Sequence, residues 1–259
     1  MSISKMSNNR DSIQVSFHLR TLLTVLLVLL FSLFPAVLRA TESPQKIAKK
    51  ESEISIDDSL SIRMQQMGLI DVQQLDSRIL VDLKYASCDN FAKTNMYGSI
   101  GKAYLEPGFA RRIAKAQALL SRSKPGFHLL IYDAARPLSV QKYMYSLVAD
   151  TPLKVYVANG KRGGRHNYGV AVDLTIANAQ GQPIDMGTSF DHFGIEAHVG
   201  REVFLSRKGL ISAEAVRNRA LLKRIMEQVG LRPYKREWWH YEERISMKEV
   251  RMRYRLLDF

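Results

Sequence analysis

Two short stretches hold most of the residues that could do chemistry together. Gly163–Ile176 reads GGRHNYGVAVDLTI and carries His166 and Asp173; much later in the chain, Arg236–Glu242 reads REWWHYE and carries Glu237 and His240. Two imidazoles and a carboxylate are the ligand set of a hydrolytic zinc site, which keeps a fourth position open. A second carboxylate can then act on a water at that position. Taken singly, each stretch has a plainer reading, His166 as a core or surface histidine and REWWHYE as an amphipathic edge strand. Asp173 is harder to set aside, because a carboxylate inside an apolar strand needs a cation or several donors. The expectation is one zinc ion per chain, held where the two stretches meet.

The elements that must position these side chains follow from periodicity. Val170–Ile176 alternates as a strand, placing Gly169, Ala171 and Asp173 on one face and Val170, Val172 and Leu174 on the other. His166 lies seven residues from Asp173, an odd number, so the chain must bend between them, at Tyr168-Gly169. Glu237 and His240 are three apart, which calls for a kink or bulge. Further strands are expected at Ile79–Tyr85, Phe127–Asp133 and Tyr234–Tyr241. Helices are expected at Glu106–Ser121, with Pro107 in the first turn, at Ser139–Val148, and at Ala213–Val229 between Ser212 and Gly230. After Tyr241 comes a basic tail. The mixture predicts one α+β domain with a central, mostly antiparallel sheet and flanking helices.

The totals bound the rest. The chain has 259 residues, of which 46% are hydrophobic, enough for a sizeable core, and a formal net charge of +13. The basic residues are dispersed and form no nucleic-acid signature, so an anionic polymer such as cell wall, or no charged partner at all, is the better expectation. A single cysteine, Cys88, excludes an internal disulfide and a thiolate-rich zinc site; it reads as a small, partly buried filler. Residues 1–20 are polar and net basic, Thr21–Leu38 is almost wholly apolar, and Ala40 ends a small-residue cleavage site. That order is an export signal over residues 1–40. The alternative is an uncleaved anchor at residues 21–38. Both send the following domain outside the membrane, into the periplasm. Residues 41–58 read as a polar linker and 59–259 as the catalytic domain.

Five motifs in order carry a resemblance: DLKYASCDNF (Asp82–Phe91), YDAARP (Tyr132–Pro137), RHNYGVAVDLT (Arg165–Thr175), DMGTSFDHF (Asp185–Phe193) and EWWHYE (Glu237–Glu242). The chain resembles the VanX-type D-alanyl-D-alanine dipeptidases, among the zinc peptidases of Hedgehog-like fold. The resemblance implies zinc on His166, Asp173 and His240, with Glu237 as general base. It implies Arg136 as the stabiliser of the oxyanion, and Tyr85 and Asp191 as the grip on the free ammonium of a D-amino-acid dipeptide. Where the family has a substrate-binding serine this chain has Gly164, and YDAARP lacks the aromatic or glycine usual before the arginine. Peptidoglycan fragments are the other implied partner. A D,D- or L,D-carboxypeptidase acting on stem peptides, or a zinc-bearing wall-binding module without turnover, are the alternatives.

Overall fold

The computed structural model describes residues 60–259. The expected signal or anchor and the linker lie outside the described residues, and no described helix is long and apolar enough to cross a membrane. In chain order the elements are β1 (Ile70–Asp71), α1 (Val72–Leu75), β2 (Leu80–Val81), β3 (Tyr104–Leu105), α2 (Pro107–Ser123), β4 (His128–Asp133), α3 (Leu138–Ser146), β5 (Ala171–Ala177), α4 (Glu202–Arg207), α5 (Ala213–Gln228), β6 (Leu231–Tyr234), β7 (Glu237–Glu243) and α6 (Met247–Arg253). Five strands form one sheet in the order β2-β4-β5-β7-β6, and β1 pairs with β3 apart from it. Only β2–β4 is parallel within the large sheet; the other pairs are antiparallel. The fold is thus the α+β arrangement expected.

The two long helices are built as their sequences dictate. Glu106 caps α2 by accepting the Phe109 amide at 2.8 Å, Pro107 opens the helix, and Phe109, Ile113, Ala116 and Leu120 form its buried stripe. Ser212 caps α5 in the same way through the Ala215 amide. Both helices share a core with Val172, Leu174 and Ile176 of β5, so that face of the sheet is closed by packing. Ala171, Asp173 and Thr175 project from the opposite face.

Three expectations need correction. The alternation at Ile79–Tyr85 yields a strand only at Leu80–Val81, and Lys84–Ala86 turns as 3-10 helix. The side-chain amide of Asn90 donates to the carbonyls of Lys84, Ser87 and Thr94, which closes the following residues into a loop. Cys88 sits on that loop exposed, not as a buried filler. The strand expected from Tyr234 is the hairpin β6–β7, and the basic tail contains α6, started by a reciprocal Ser246–Glu249 cap.

Candidate active site

Three strands present a row of polar side chains on the open face of the sheet. Asp173 of β5 pairs with His240 of β7 on one side and with Asp133 of β4 on the other. Asp133 reaches that register through a bulge: Ile131 pairs with Leu174, and one extra β4 residue intervenes before Asp133 meets Asp173. The hairpin supplies the second irregularity. Pro233 pairs with Tyr241 while its neighbour Tyr234 pairs with Glu237, so β7 carries extra residues between these points. This is the kink that the odd spacing of Glu237 and His240 demanded, and both side chains line one cleft.

His166 arrives from a 3-10 turn, Arg165–Tyr168, that ends at Gly169 with φ 67°. A side chain there would bring its Cβ to 3.0 Å from the Glu106 amide nitrogen, so only glycine fits the bend. Asn167, wholly buried, ties the turn to the end of β4: its Nδ2 donates to the Arg136 carbonyl at 2.8 Å and its Oδ1 accepts the Gly164 amide at 2.7 Å.

One ligand atom from each of His166, Asp173 and His240 lies within 4.8 Å of the others. The hydrogen bonds around them decide what those atoms offer. His166 Nδ1 stands 2.7 Å from the Ala134 carbonyl, which only accepts, so Nδ1 carries the proton and Nε2 presents a lone pair. His240 stands between two carboxylates, with Nε2 3.3 Å from Glu242 Oε2 and Nδ1 facing Asp173; when its proton sits on Nε2, Nδ1 presents a lone pair. Those two lone-pair nitrogens are 3.2 Å apart, and His240 Nδ1 is 2.9 Å from Asp173 Oδ1. With each ring proton on the outer nitrogen, three acceptors converge on one point, the arrangement that a cation satisfies. When protons and not an ion lie between these atoms, burial pushes the Asp173 carboxyl up, but donation from the protonated His166 and His240 outweighs it and holds it well below the usual range. Burial pulls the His240 pKa down, but the bond to Asp173 outweighs that and raises it to about 10.

Glu237 stands beside this group without joining it. Its Oε2 is 3.9 Å from His240 Nδ1, and burial pushes its pKa up to about 7 against the pull of His240. Arg136 lies 7% exposed on the same cleft, with its guanidinium over the Tyr85 ring at 5.2 Å. Its Nε and Nη2 both bond Asp133 Oδ2, and Nη1 donates to Gln141 Oε1 at 2.7 Å and touches Met144 Sδ. Tyr85 donates its hydroxyl to Asp191 Oδ1 at 3.0 Å, while Asp191 Oδ2 accepts the Phe91 amide. Asp191 is held at φ 59°, and burial pushes its pKa up to about 7.

The cleft that joins these residues measures about 320 Å³ and takes in every site residue expected from the sequence, Gly164 included. The Gly164 amide is already engaged by Asn167, so it cannot stand in for the missing serine hydroxyl. His128, His192 and His198 do not line the cleft. Sequence reasoning gave no role to Asp133, which is fully buried and bonds Tyr97 and Arg136 while standing 3.4 Å from His166 Nδ1. Its place in YDAARP was visible; the bulge that sets it opposite Asp173 was not.

Residues 65–254 match the sequence profile of the D-Ala-D-Ala dipeptidases. The chain belongs to this peptidase family. Among its relatives, the D-alanyl-D-alanine dipeptidase of Escherichia coli strain K12 is 30% identical over 174 residues, covering 67% of this chain and 83% of the relative. The D-alanyl-D-alanine dipeptidase of Enterococcus faecalis strain V583 is 28% identical over 195 residues, 68% of this chain and 91% of that one. The protein of that name from Synechocystis strain PCC 6803 is 25% identical over 191 residues, 58% and 76%. Like others of this family of metallopeptidases, the chain is a hydrolytic enzyme.

Proposed function

We propose that this chain hydrolyses D-alanyl-D-alanine, or a closely similar D-amino-acid dipeptide, with one zinc ion held by His166, Asp173 and His240. The carrying observation is the convergence of one ligand atom each from His166, Asp173 and His240 beside a carboxylate that is not one of them. Mixed imidazole and carboxylate ligation in a peptidase suits zinc. When bound, zinc supplies a Lewis acid that polarises the scissile carbonyl and brings a water ligand's pKa towards neutrality.

Glu237 takes the proton from the attacking water on its carboxylate and hands it to the leaving amine; a pKa raised to about 7 suits both transfers. Arg136 has five N–H donors, and its bonds to Asp133, Gln141 and Met144 leave one N–H for the negative charge that develops on the carbonyl oxygen. Asp191, backed by the Tyr85 hydroxyl, receives the substrate ammonium. A longer peptide would bury that carboxylate beside an amide instead, at a cost in binding. Export by residues 1–40 places the reaction outside the cytoplasmic membrane, where it serves salvage or turnover of wall peptides.

A second reading, carboxypeptidase action on peptidoglycan stem peptides, draws on one observation. A larger cleft of about 610 Å³ shares Phe91 and Asp191 with the first and has Thr175 of β5 in its lining, leaving room for an N-terminal extension. It lacks the donor triad, so the smaller cleft is taken as the site of chemistry. Product analysis separates the readings: free D-Ala-D-Ala, its N-acetyl derivative and longer peptides are compared, with metal removed and then restored. Rapid turnover of the free dipeptide alone, lost on chelation and regained with zinc, is expected. Preferential cleavage of the longer peptides overturns the dipeptidase reading. Glu237→Gln is expected to keep one zinc per chain and to lower kcat about 10²–10⁴-fold; unchanged hydrolysis removes Glu237 from its role.

A further inference from the structure

We propose that Glu242 is a positioning residue for His240, clamped by Arg165 and Arg232 so that one metal ligand is held by the sequence neighbour of the other. The proposal rests on the metal reading above. His240 turns Nδ1 toward Asp173, which leaves Nε2 on the far side of the ring, 3.3 Å from Glu242 Oε2. Glu242 is itself fixed at both oxygens. Arg165 Nε stands 2.9 Å from Oε2, and Arg232 approaches Oε1 with Nε at 2.9 Å and Nη2 at 2.8 Å. Arg165 is anchored in turn by Nη2 to the Ile245 carbonyl at 2.6 Å, and it opens the same 3-10 turn that carries His166.

This geometry has three physical effects. Once an ion takes Nδ1, an acceptor at Nε2 receives the proton that remains on the ring. It fixes the rotation of the ring, and a carboxylate partner makes the imidazole a stronger donor to metal. Glu242 is only 8% exposed, and an ionised carboxylate at that depth needs cations close by, which the two guanidinium groups provide. Arg165 is oriented for this purpose at some expense, since its Nη1 is buried with no hydrogen-bond partner among the described residues.

The test is zinc affinity, measured by competition with a chromophoric chelator on the purified protein, for wild type, Glu242→Ala and Glu242→Gln. Unfolding of the metal-free forms is followed alongside. The alanine variant is expected to bind zinc about 10–100-fold more weakly. The glutamine variant should regain most of that loss, because its side-chain oxygen still accepts from Nε2. Wild-type affinity in the alanine variant overturns the proposal, as does glutamine binding no better than alanine. Should Glu242→Ala fail to fold, Arg232→Ala decides, since that arginine is 42% exposed and its removal spares the interior. A smaller loss in the same direction supports the clamp, and none overturns it. If wild type itself takes up no zinc, the metal reading falls and the proposal with it; zinc uptake by wild type with indifferent variants sinks the proposal alone.

Discussion

At the scale of single residues, the site is legible where chemistry is unusual for its surroundings. A carboxylate in the apolar run VAVDLTI and a histidine beside two tryptophans stand out in any reading. Asp133 did not, because an aspartate closing a strand reads as a cap, and its partners Tyr97 and His166 are remote in sequence. Gly164 gives a direct prediction. Its φ of −94° is open to any residue, and a Cβ there would meet only Ala158 Cβ at 3.3 Å and Asn167 Oδ1 at 3.9 Å. Gly164→Ser should fold and lower KM for D-Ala-D-Ala with kcat little changed, the signature of added uniform binding; steady-state kinetics showing a raised KM would count against it. Asp191 gives a second. Its folded pKa of about 7 exceeds the unfolded value of about 3.9, so between the two the folded protein holds a proton that the unfolded chain has lost. Its contribution to stability is therefore greatest below about pH 4 and declines as pH rises to about 7. Asp191→Asn should show a flatter dependence of the urea midpoint on pH across that range; parallel curves would remove Asp191 as the cause.

At the scale of elements, periodicity located α2, α3 and α5 within a few residues, because a buried stripe is a local pattern, and missed the shorter α1, α4 and α6. It located the irregularities only as demands. Odd spacings required bends at Tyr168-Gly169 and between Glu237 and His240, and both exist, as a left-handed glycine and as extra residues in the β7 ladder. The β4 bulge and the β6–β7 hairpin left no such arithmetic in the sequence, since partner strands decide them. Gly169 tests how far the bend matters. Gly169→Ala places a Cβ against the Glu106 amide at positive φ, so the protein should lose about 1–3 kcal/mol and bind zinc more weakly. Chemical denaturation and the chelator competition read these two effects, and a neutral result on both would show that the turn relaxes freely.

At the scale of the whole molecule, the described residues divide their labour between two sheet faces. Helices α2 and α5 close one with an apolar core, and the other carries the polar row and both clefts. Composition alone announced a core of this size but not which face it would occupy. The export reading belongs to this scale too. Protein recovered from fractionated cells should be soluble outside the cytoplasmic membrane with a mature N-terminus near Thr41, as intact mass will show. Full-length chain in the membrane pellet would favour the anchor at residues 21–38 instead.

Asp133 grips Arg136 and stands against the edge of the His166 ring, from beneath both, while the phenol of Tyr97 holds it in place. This arrangement ties the setting of the Arg136 guanidinium to that of the His166 ring. A change at position 133 therefore acts on both at once.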